Sequence, residues 1–354
     1  MKETMKSAII RHFRRHRVNA RLSHPCARQY AFVGVGGHSL ANLYPVLCLL
    51  HVPLKYICVT SSRKAELIGH NAAAFPGQAI PTTSLDTVLG DPEVAGVFVS
   101  ASPDSHFGLA SAVLQKGRAL FVEKPPCRTL RQLEELIDVQ NRSGALAFVG
   151  MQKRFAPAVR RLKRCLKKEQ VHNYSLRYCS GRYPEGDFVT ELFIHPIDLV
   201  LFLFGEAEVL SCKCIAGHTY VLMLVHGDVV GTIELSTGYS WTAPVEELVV
   251  HTHSGEYSLH SIDSLTYRHG GRNVVGIPFE KIVKQGMTVE RLCCHDSFSP
   301  TLESSNWVEH GFYYELKAFV DAVEGSGIVN GSIPCPTLQS MLPTYRVLEY
   351  LKSI

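Results

Sequence analysis

The sequence Tyr30-Ala31-Phe32-Val33-Gly34-Val35-Gly36-Gly37-His38-Ser39 joins an apolar run to a glycine-rich turn. Residues 40–50 continue with the spacing of a helix, so the order is strand, turn and helix. This order nearly matches G-x-G-x-x-G, the fingerprint of a dinucleotide-binding unit. Gly34 allows the tight turn, Gly36 lets backbone amides approach a pyrophosphate, and the helix amino terminus favours that anion. Ser39 takes the place of the third glycine, which predicts slightly looser packing of helix on strand.

More segments of the same two kinds follow. Short apolar runs typical of buried strands occur at 54–59, 95–101, 119–122 and 145–150, and helical spacing occurs at 106–115 and 130–141. Strands that alternate with helices of this length predict βαβ units and a parallel sheet covered on both faces. We therefore predict an α/β chain whose residues 30–150 form an amino-terminal Rossmann domain that binds NAD(P).

The pattern changes after residue 150. Strand-like runs separated mainly by glycine turns lie at 171–179, 209–215, 220–225, 229–235 and 247–253, an apolar segment covers 192–204, and helices are predicted at 307–323 and 337–352. We expect residues 151–354 to form an α+β domain with a large open, mainly antiparallel sheet, which binds substrate. The carboxyl-terminal helices can also pack back on the first domain. Because residues 221–225 are apolar on both faces, we predict a homodimer or homotetramer through this sheet.

The end of the second predicted strand indicates which nucleotide binds. In NAD-binding units an acidic residue closes this strand and holds the ribose 2′-hydroxyl. Here Thr60-Ser61-Ser62-Arg63-Lys64 follows the strand, and the first carboxylate is Glu66. Hydroxyl groups and cations suit a 2′-phosphate, so we predict NADP in preference to NAD, with Ser61, Ser62 and Arg63 as its ligands. The alternative is an ordinary polar loop.

Composition excludes several other classes of protein. The chain has 354 residues, of which 46% are hydrophobic, and no apolar run approaches the length of a membrane span. The net charge of the chain is +4, but residues 1–29 alone hold eight Lys and Arg and one Glu. Residues 30–354 therefore carry a net charge of −3, which does not indicate a nucleic-acid-binding domain. Eleven scattered cysteines without a CxxC pair indicate free thiols and a cytoplasmic protein rather than a zinc site.

The basic extension at residues 1–29 has three possible interpretations. It is a presequence, a segment that binds an anionic surface, or a solvated helix.

Four further segments carry a family resemblance. They are Val99-Ser100-Ala101-Ser102-Pro103-Asp104-Ser105-His106, Glu123-Lys124-Pro125, Met151-Gln152-Lys153-Arg154-Phe155-Ala156-Pro157 and Glu191-Leu192-Phe193-Ile194-His195-Pro196-Ile197-Asp198. In this order they resemble the Gfo/Idh/MocA oxidoreductases, named for glucose–fructose oxidoreductase and inositol dehydrogenase, from about residue 30 to the end. The resemblance implies a Rossmann domain followed by a domain with an open sheet. It also implies hydride transfer between a nicotinamide and a sugar, polyol or related carbonyl compound.

The resemblance further implies that Lys124 and His195 flank the reacting carbon. Alcohol oxidation needs a base, and histidine titrates near neutral pH, so His195 suits that role. A lysine with a lowered pKa shares the proton transfer or binds the oxygen. Glu191 stands where family members commonly have Asp, and we predict that it orients His195. Since Pro196 cannot occupy a helix interior, it belongs in the first turn of a helix, with His195 near its start.

The remaining site predictions extend both binding regions, and no metal is predicted because Glu191 and His195 lack an evident third ligand. The cofactor set is Gly34, Gly36, Gly37, His38, Ser39, Ser61, Ser62, Arg63, Ser102, Pro103, His106, Glu123 and Lys124; the substrate set is Arg154, Arg182, Tyr183 and Asp198. Each has a structural alternative, such as a surface lysine, a core histidine or a salt-bridged arginine. Two other functions stay open: a glycosidase that uses tightly bound nicotinamide by transient oxidation, and a non-enzymatic nucleotide-binding regulator.

Overall fold

The computed structural model describes residues 2–22, 26–271, 273–274, 277–278, 288–294, 301–325 and 335–354. The helices are α1 Lys2–Leu22, α2 Tyr44–Leu49, α3 Ser62–His70, α4 Leu85–Gly90, α5 Pro103–Gln115, α6 Leu130–Ser143, α7 Pro157–Leu166, α8 Phe188–Glu191, α9 Ile194–Phe204, α10 Asn306–Glu309, α11 Phe312–Glu324 and α12 Leu342–Lys352. The strands are β1 Gln29–Val33, β2 Leu54–Cys58, β3 Ile80–Thr82, β4 Val94–Val99, β5 Ala119–Glu123, β6 Ala147–Gly150, β7 Val171–Cys179, β8 Glu208–Ile215, β9 Thr219–His226, β10 Val229–Ser236, β11 Val245–Thr252, β12 Gly255–His260, β13 Ser264–His269, β14 Asn273–Val274, β15 Ile277–Pro278 and β16 Val289–Cys293.

The first sheet is parallel and has the order β3-β2-β1-β4-β5-β6. Its strands are almost wholly buried because helices cover both faces, which explains their continuous apolar runs. The predicted α/β class is thereby confirmed. The strand order reverses between β1 and β4, and ligands of such sheets bind at that crevice, beyond the carboxyl ends of the strands. Strand β3 was not predicted, because three residues with a central proline do not form an apolar run.

The turn after β1 brings the backbone of two strands together. Gly34 has φ of 106°, and a Cβ atom there would lie 2.0 Å from the carbonyl oxygen of Ser100. Only glycine fits both conditions. The helix then begins with a π-type turn, Ser39–Leu43, before it continues as α2. The side chain of Ser39 is buried, and its hydroxyl accepts a hydrogen bond of 2.9 Å from the amide of Gly36.

The second sheet has eight strands in the order β16-β13-β12-β11-β7-β10-β9-β8. All neighbours are antiparallel except β7 and β10, as the prediction of a mainly antiparallel sheet requires. One face is covered by helices: the ring of Tyr174 on β7 stacks on Phe204 of α9, with centroids 4.4 Å apart. Strands β12, β13 and β16 were not predicted, since Ser, Thr and His interrupt the apolar positions of β12 and β13, and Glu290 and Arg291 interrupt those of β16.

The uncovered face of this sheet is mixed rather than broadly apolar. Val221 on β9 is exposed, in line with the prediction of apolar residues on both faces of this strand. Its cross-strand neighbour Glu234 on β10, however, pairs with Arg177 of β7 at 2.9 Å. This face of the sheet is therefore not a continuous apolar surface, because a charged pair occupies its centre.

The predicted helix at 307–323 is two helices, α10 and α11. Gly311 separates them with φ of 94°, and a Cβ atom there would lie 2.1 Å from the carbonyl oxygen of Gln152. Phe319 of α11 packs on rings of the first sheet, and its ring centroid lies 5.2 Å from that of Phe98. Helix α11 therefore covers the first domain, and its first residue, Phe312, lies beside the candidate site.

The amino-terminal extension contains α1, whose apolar side chains Ile9 and Phe13 are exposed. Within the described residues, no helix combines the length and apolar character needed to cross a membrane. A search of the same residues finds no group of three His, Cys, Asp or Glu side chains suited to hold a metal ion.

Candidate active site

Two clefts meet at the carboxyl edge of the first sheet. Each has a volume of about 600 Å³. The first lies around the glycine turn, and the second lies between that sheet and the second domain. Both are lined by His38, Ser100 and Ala101, so a molecule that fills the first cleft can extend one end into the second.

The first cleft has the features of a nucleotide site. Gly34, Gly36, Gly37, His38 and Ser39 line it, together with Ser102 from the end of β4. Cβ atoms built on Gly36 and Gly37 would meet nothing within 4 Å, so the turn leaves open space where a pyrophosphate approaches the backbone. The residues present therefore fit a dinucleotide in this cleft.

The far end of this cleft differs from the prediction, because none of the three residues predicted to hold the 2′-phosphate lines it. Thr60 and Lys64 line it, whereas Ser61, Ser62 and Arg63 do not. The hydroxyl of Ser61 instead caps α3, where it accepts a hydrogen bond of 3.3 Å from the amide of Lys64. Because α3 begins at this point, its first turn directs Lys64 to the cleft and Arg63 away from it. Among the described residues that line the cleft, none is acidic.

Lys124 lies in the second cleft, immediately after β5. Its ammonium group donates a hydrogen bond of 2.8 Å to the carbonyl oxygen of Glu191. Burial lowers the pKa of Lys124, while Glu123 and Glu191 oppose and Lys153 adds to this shift. The lysine is thus half-buried, and among the described residues it has one backbone acceptor, so its ammonium group retains protons for a ligand.

His195 is the second residue of α9 and faces Lys124 across the same cleft. The position agrees with the predicted helix start, and Pro196 occupies the first turn, where its missing amide proton costs nothing. The side chain is 7% exposed. Burial, and then the positive charge of Lys124 and Lys153, lowers its pKa well below 6.5. The lowered pKa keeps the imidazole neutral, and its Nδ1 atom is buried without a hydrogen-bond partner among the described residues.

Glu191 has a different role from the one predicted. Its carboxylate accepts hydrogen bonds from Arg128 at 2.5 Å and from the hydroxyl of Tyr183 at 2.6 Å. It therefore does not orient His195. The short helix α8 ends at Glu191, so its carboxylate turns to Arg128 while its carbonyl oxygen holds Lys124.

His106 and Glu123 connect the loops that follow neighbouring strands. The Nδ1 atom of His106 lies 2.7 Å from the carbonyl oxygen of Pro125, and its Nε2 atom bonds the backbone of Ala101. Glu123 is buried and lies 3.4 Å from His38. Since both ring nitrogens of His106 are occupied, this residue holds the loops of the cleft and does not offer a free group to a cofactor. Pro103, also predicted, begins α5 at the cleft wall.

Three of the four predicted substrate residues lie away from the cleft. Arg154 and Asp198 form a bidentate ion pair, with bonds of 2.8 and 2.5 Å, and are 4% and 1% exposed. Arg182 is exposed to solvent, and only its backbone carbonyl accepts a bond, from Trp241. Tyr183 does line the cleft. Arg154 and Asp198 were misassigned because the sequence shows which residues are charged but not which distant residue neutralises them.

Several residues of the second cleft were not predicted. They are polar or aromatic and come from five separate segments: Asn42, Gln152, Lys153, Glu246, Ser261, His310 and Phe312. The ammonium group of Lys153 lies 2.5 Å from the carboxylate of Glu246. The sequence signal for Lys153 was its position in the segment 151–157, which carries part of the family resemblance. Glu246, Ser261 and His310 lie in no sequence motif.

Comparisons with known proteins agree with this architecture. Residues 28–151 match the family model GFO_IDH_MocA, described as an oxidoreductase family with an NAD-binding Rossmann fold. The uncharacterized oxidoreductase YhhX of Escherichia coli is 26% identical over 51% of this chain and 57% of its own length. Inositol 2-dehydrogenase of Acidothermus cellulolyticus is 27% identical over 44% of this chain and 52% of its own length. The chain thus matches about half the length of these curated relatives.

One similar solved structure extends the likeness in fold to almost the whole chain. The dehydrogenase from Chromobacterium violaceum has a TM-score of 0.74 and 21% identity, over 92% of this chain and 94% of that one. At this identity the comparison shows a shared fold of both domains.

Proposed function

We propose that this chain, whose residues 28–151 match the Gfo/Idh/MocA oxidoreductase family model, transfers a hydride between a nicotinamide dinucleotide and a sugar, polyol or related carbonyl compound. The observation that carries this proposal is the placement of Lys124 and a neutral His195 in a cleft that adjoins the nucleotide cleft. A bound NAD(P) supplies the hydride acceptor or donor. The protein supplies groups that move a proton and hold an oxygen atom.

The chemistry of the two side chains favours distinct roles. The neutral imidazole of His195 accepts the hydroxyl proton when an alcohol is oxidised and returns it when a carbonyl is reduced. The ammonium group of Lys124 donates a hydrogen bond to the same oxygen and stabilises the charge that develops there. Glu191 positions Lys124 through its carbonyl oxygen, and its own carboxylate is fixed by Arg128 and Tyr183.

The wall of the second cleft supports a polyhydroxylated substrate. Gln152, Glu246 and Ser261 present amide, carboxylate and hydroxyl groups, and Phe312 adds an apolar surface. These groups can donate hydrogen bonds to the hydroxyl groups of a substrate and accept hydrogen bonds from them. We therefore propose that the substrate carries several hydroxyl groups.

We expect the proposed roles to appear in the pH dependence of kcat/KM. For alcohol oxidation, in which His195 acts as the base, its lowered pKa keeps the imidazole neutral to more acidic pH, so activity should fall only below pH 6.5. The lowered pKa of Lys124 should place the alkaline limb below 10.5. A profile measured with wild type and His195→Asn tests this; an acid limb above pH 6.5, or one that His195→Asn leaves in place, contradicts the assignment.

For the cofactor we propose NADP, because Thr60 and Lys64 line the far end of the cleft and no acidic residue lies among the described lining residues. Lys64→Ala should weaken NADPH binding by about tenfold, the value of one charge-assisted contact, and leave NADH binding within about twofold. Arg63→Ala is the matched control, since it removes the neighbouring cation outside the cleft. Fluorescence titration measures both. Equal losses for both nucleotides, or a larger effect of Arg63→Ala, would remove the basis for this preference.

Nucleotide turnover tests the reaction class. The proposed enzyme converts one NADP⁺ for each substrate oxidised, whereas a glycosidase that works by transient oxidation leaves the nucleotide unchanged. Absorbance at the wavelength of NADPH, followed during a screen of sugars and polyols, separates the two. Substrate cleavage without a change in nucleotide would replace our proposal by the glycosidase.

Two further properties of the chain are proposed. The exposed apolar residues of β8 and β9, Leu210, Ile215 and Val221, support contact with a second copy of the chain through the open sheet, which gives a dimer or tetramer. All eleven cysteines are unpaired, which supports a reducing, cytoplasmic location.

A further inference from the structure

A third cavity lies between α7, α9 and α11 and shares no lining residue with the two clefts. Its volume is about 300 Å³. Four cations line it: Arg160, Lys163, Arg164 and Lys167. Their spacing of three, four and seven residues places them on one face of α7 and its carboxyl end. We call this the four-cation cavity.

Aromatic rings hold two of these cations in the cavity. The ammonium group of Lys163 lies 3.5 Å from the ring centroid of Phe202 and 2.5 Å from the carbonyl oxygen of the same residue. The guanidinium group of Arg160 lies 5.7 Å from the ring centroid of Tyr314. Both cations are half-buried. Such cation–π contacts fix the side chains against the wall and limit the water that hydrates them.

Cations this close together repel one another unless an anion lies between them. Among the described residues, none of the four pairs with a carboxylate, and the nearby Asp198 is already engaged by Arg154. Burial, and then the charges of Arg154 and Lys167, lower the pKa of Lys163 to about 8. Burial also lowers the pKa of Arg160. The cavity is therefore an uncompensated positive site, which a bound anion would stabilise.

We propose that the four-cation cavity binds a ligand that carries two linked phosphate groups. The row from Arg160 to Lys167 rises about 10 Å along the helix, which is longer than a single phosphate can bridge. Guanidinium and ammonium groups in alternation bind phosphate oxygens in bidentate and single contacts. The ligand binds independently of the dinucleotide, because the cavity and the nucleotide cleft are separate.

Isothermal titration of the full chain with inorganic pyrophosphate tests this proposal. Saturating NADPH is present throughout, so that the glycine turn is filled. The test variant is Arg164→Gln/Lys167→Gln, which changes two exposed cations and spares the packed ones. The matched control is Arg161→Gln/Lys168→Gln, which removes the same charge from exposed positions of the same segment outside the cavity.

We expect wild type to bind one pyrophosphate more tightly than orthophosphate. The test variant should lose at least about tenfold in affinity, and the control should stay within about twofold. Equal losses in both variants would indicate a general charge effect and overturn the proposal, as would the absence of saturable binding. Equal affinity for orthophosphate and pyrophosphate would overturn the diphosphate assignment. Since binding is measured without turnover, these outcomes do not depend on the proposed reaction.

Discussion

Replacing Lys124 by methionine is expected to lower kcat by about 10³-fold, because positioned proton-transfer and oxyanion-stabilising groups contribute effects of this size. Methionine retains most of the volume of the lysine stem, so the wall of the cleft is preserved. It removes the ammonium group that donates to the carbonyl oxygen of Glu191 and, in our proposal, to the substrate oxygen. Nucleotide affinity should change little, since the first cleft is lined mainly by the glycine turn and β4.

Steady-state kinetics with the substrate found in the screen, together with a nucleotide titration, measure both quantities. Lys116→Met is the matched control, because Lys116 is exposed at the end of α5 on the same domain. A kcat within about threefold of wild type for Lys124→Met would exclude a catalytic role for this lysine. Loss of nucleotide binding in the same variant would assign it to the cofactor instead.

The first domain was predictable because its signals are local. Each strand is a short apolar run, and the glycine turn and the loop of Lys124 follow directly from two of them, whereas the roles of Lys124 and His195 came from the family resemblance of their segments. The serine at position 39, which replaces the third glycine of the fingerprint, was also visible in the sequence. In the structure the helix begins at this residue with a π-type turn. Strands such as β12 and β13 were not visible, since they are half-exposed and their polar faces resemble loops.

The partners of charged residues were not predictable in the same way. Arg154 and Asp198 are 44 positions apart, and either suits a polar ligand when read alone. Glu191 was expected to bond His195, four positions away, but Arg128 lies closer in space. The choice between Arg63 and Lys64 depends on where α3 begins, a difference of one residue. In each case the deciding quantity is a distance between segments, which a local pattern does not contain.

Removing one partner of the buried ion pair of Arg154 and Asp198 should destabilise the protein strongly, because the other charge is then left buried without its partner. Asp198 Oδ1 accepts a further bond of 3.2 Å from Thr344, and Ser340 accepts one of 3.2 Å from Arg154. The pair thus joins the segment after β6, helix α9 and the region that leads into α12. Arg154→Met leaves the carboxylate of Asp198 buried without its cation, which we expect to lower the free energy of unfolding by about 3–5 kcal/mol.

Urea unfolding followed by circular dichroism measures this loss, and the double variant Arg154→Met/Asp198→Leu separates its causes. If the loss comes from an uncompensated buried charge, the second substitution should restore most of the stability, because apolar side chains of similar volume replace buried pairs at little cost. If the double variant is as unstable as Arg154→Met, the loss comes from packing of the arginine on Phe202 instead. Since α9 also carries His195, a stable double variant with low kcat would show that the ion pair positions the catalytic helix as well as stabilising it.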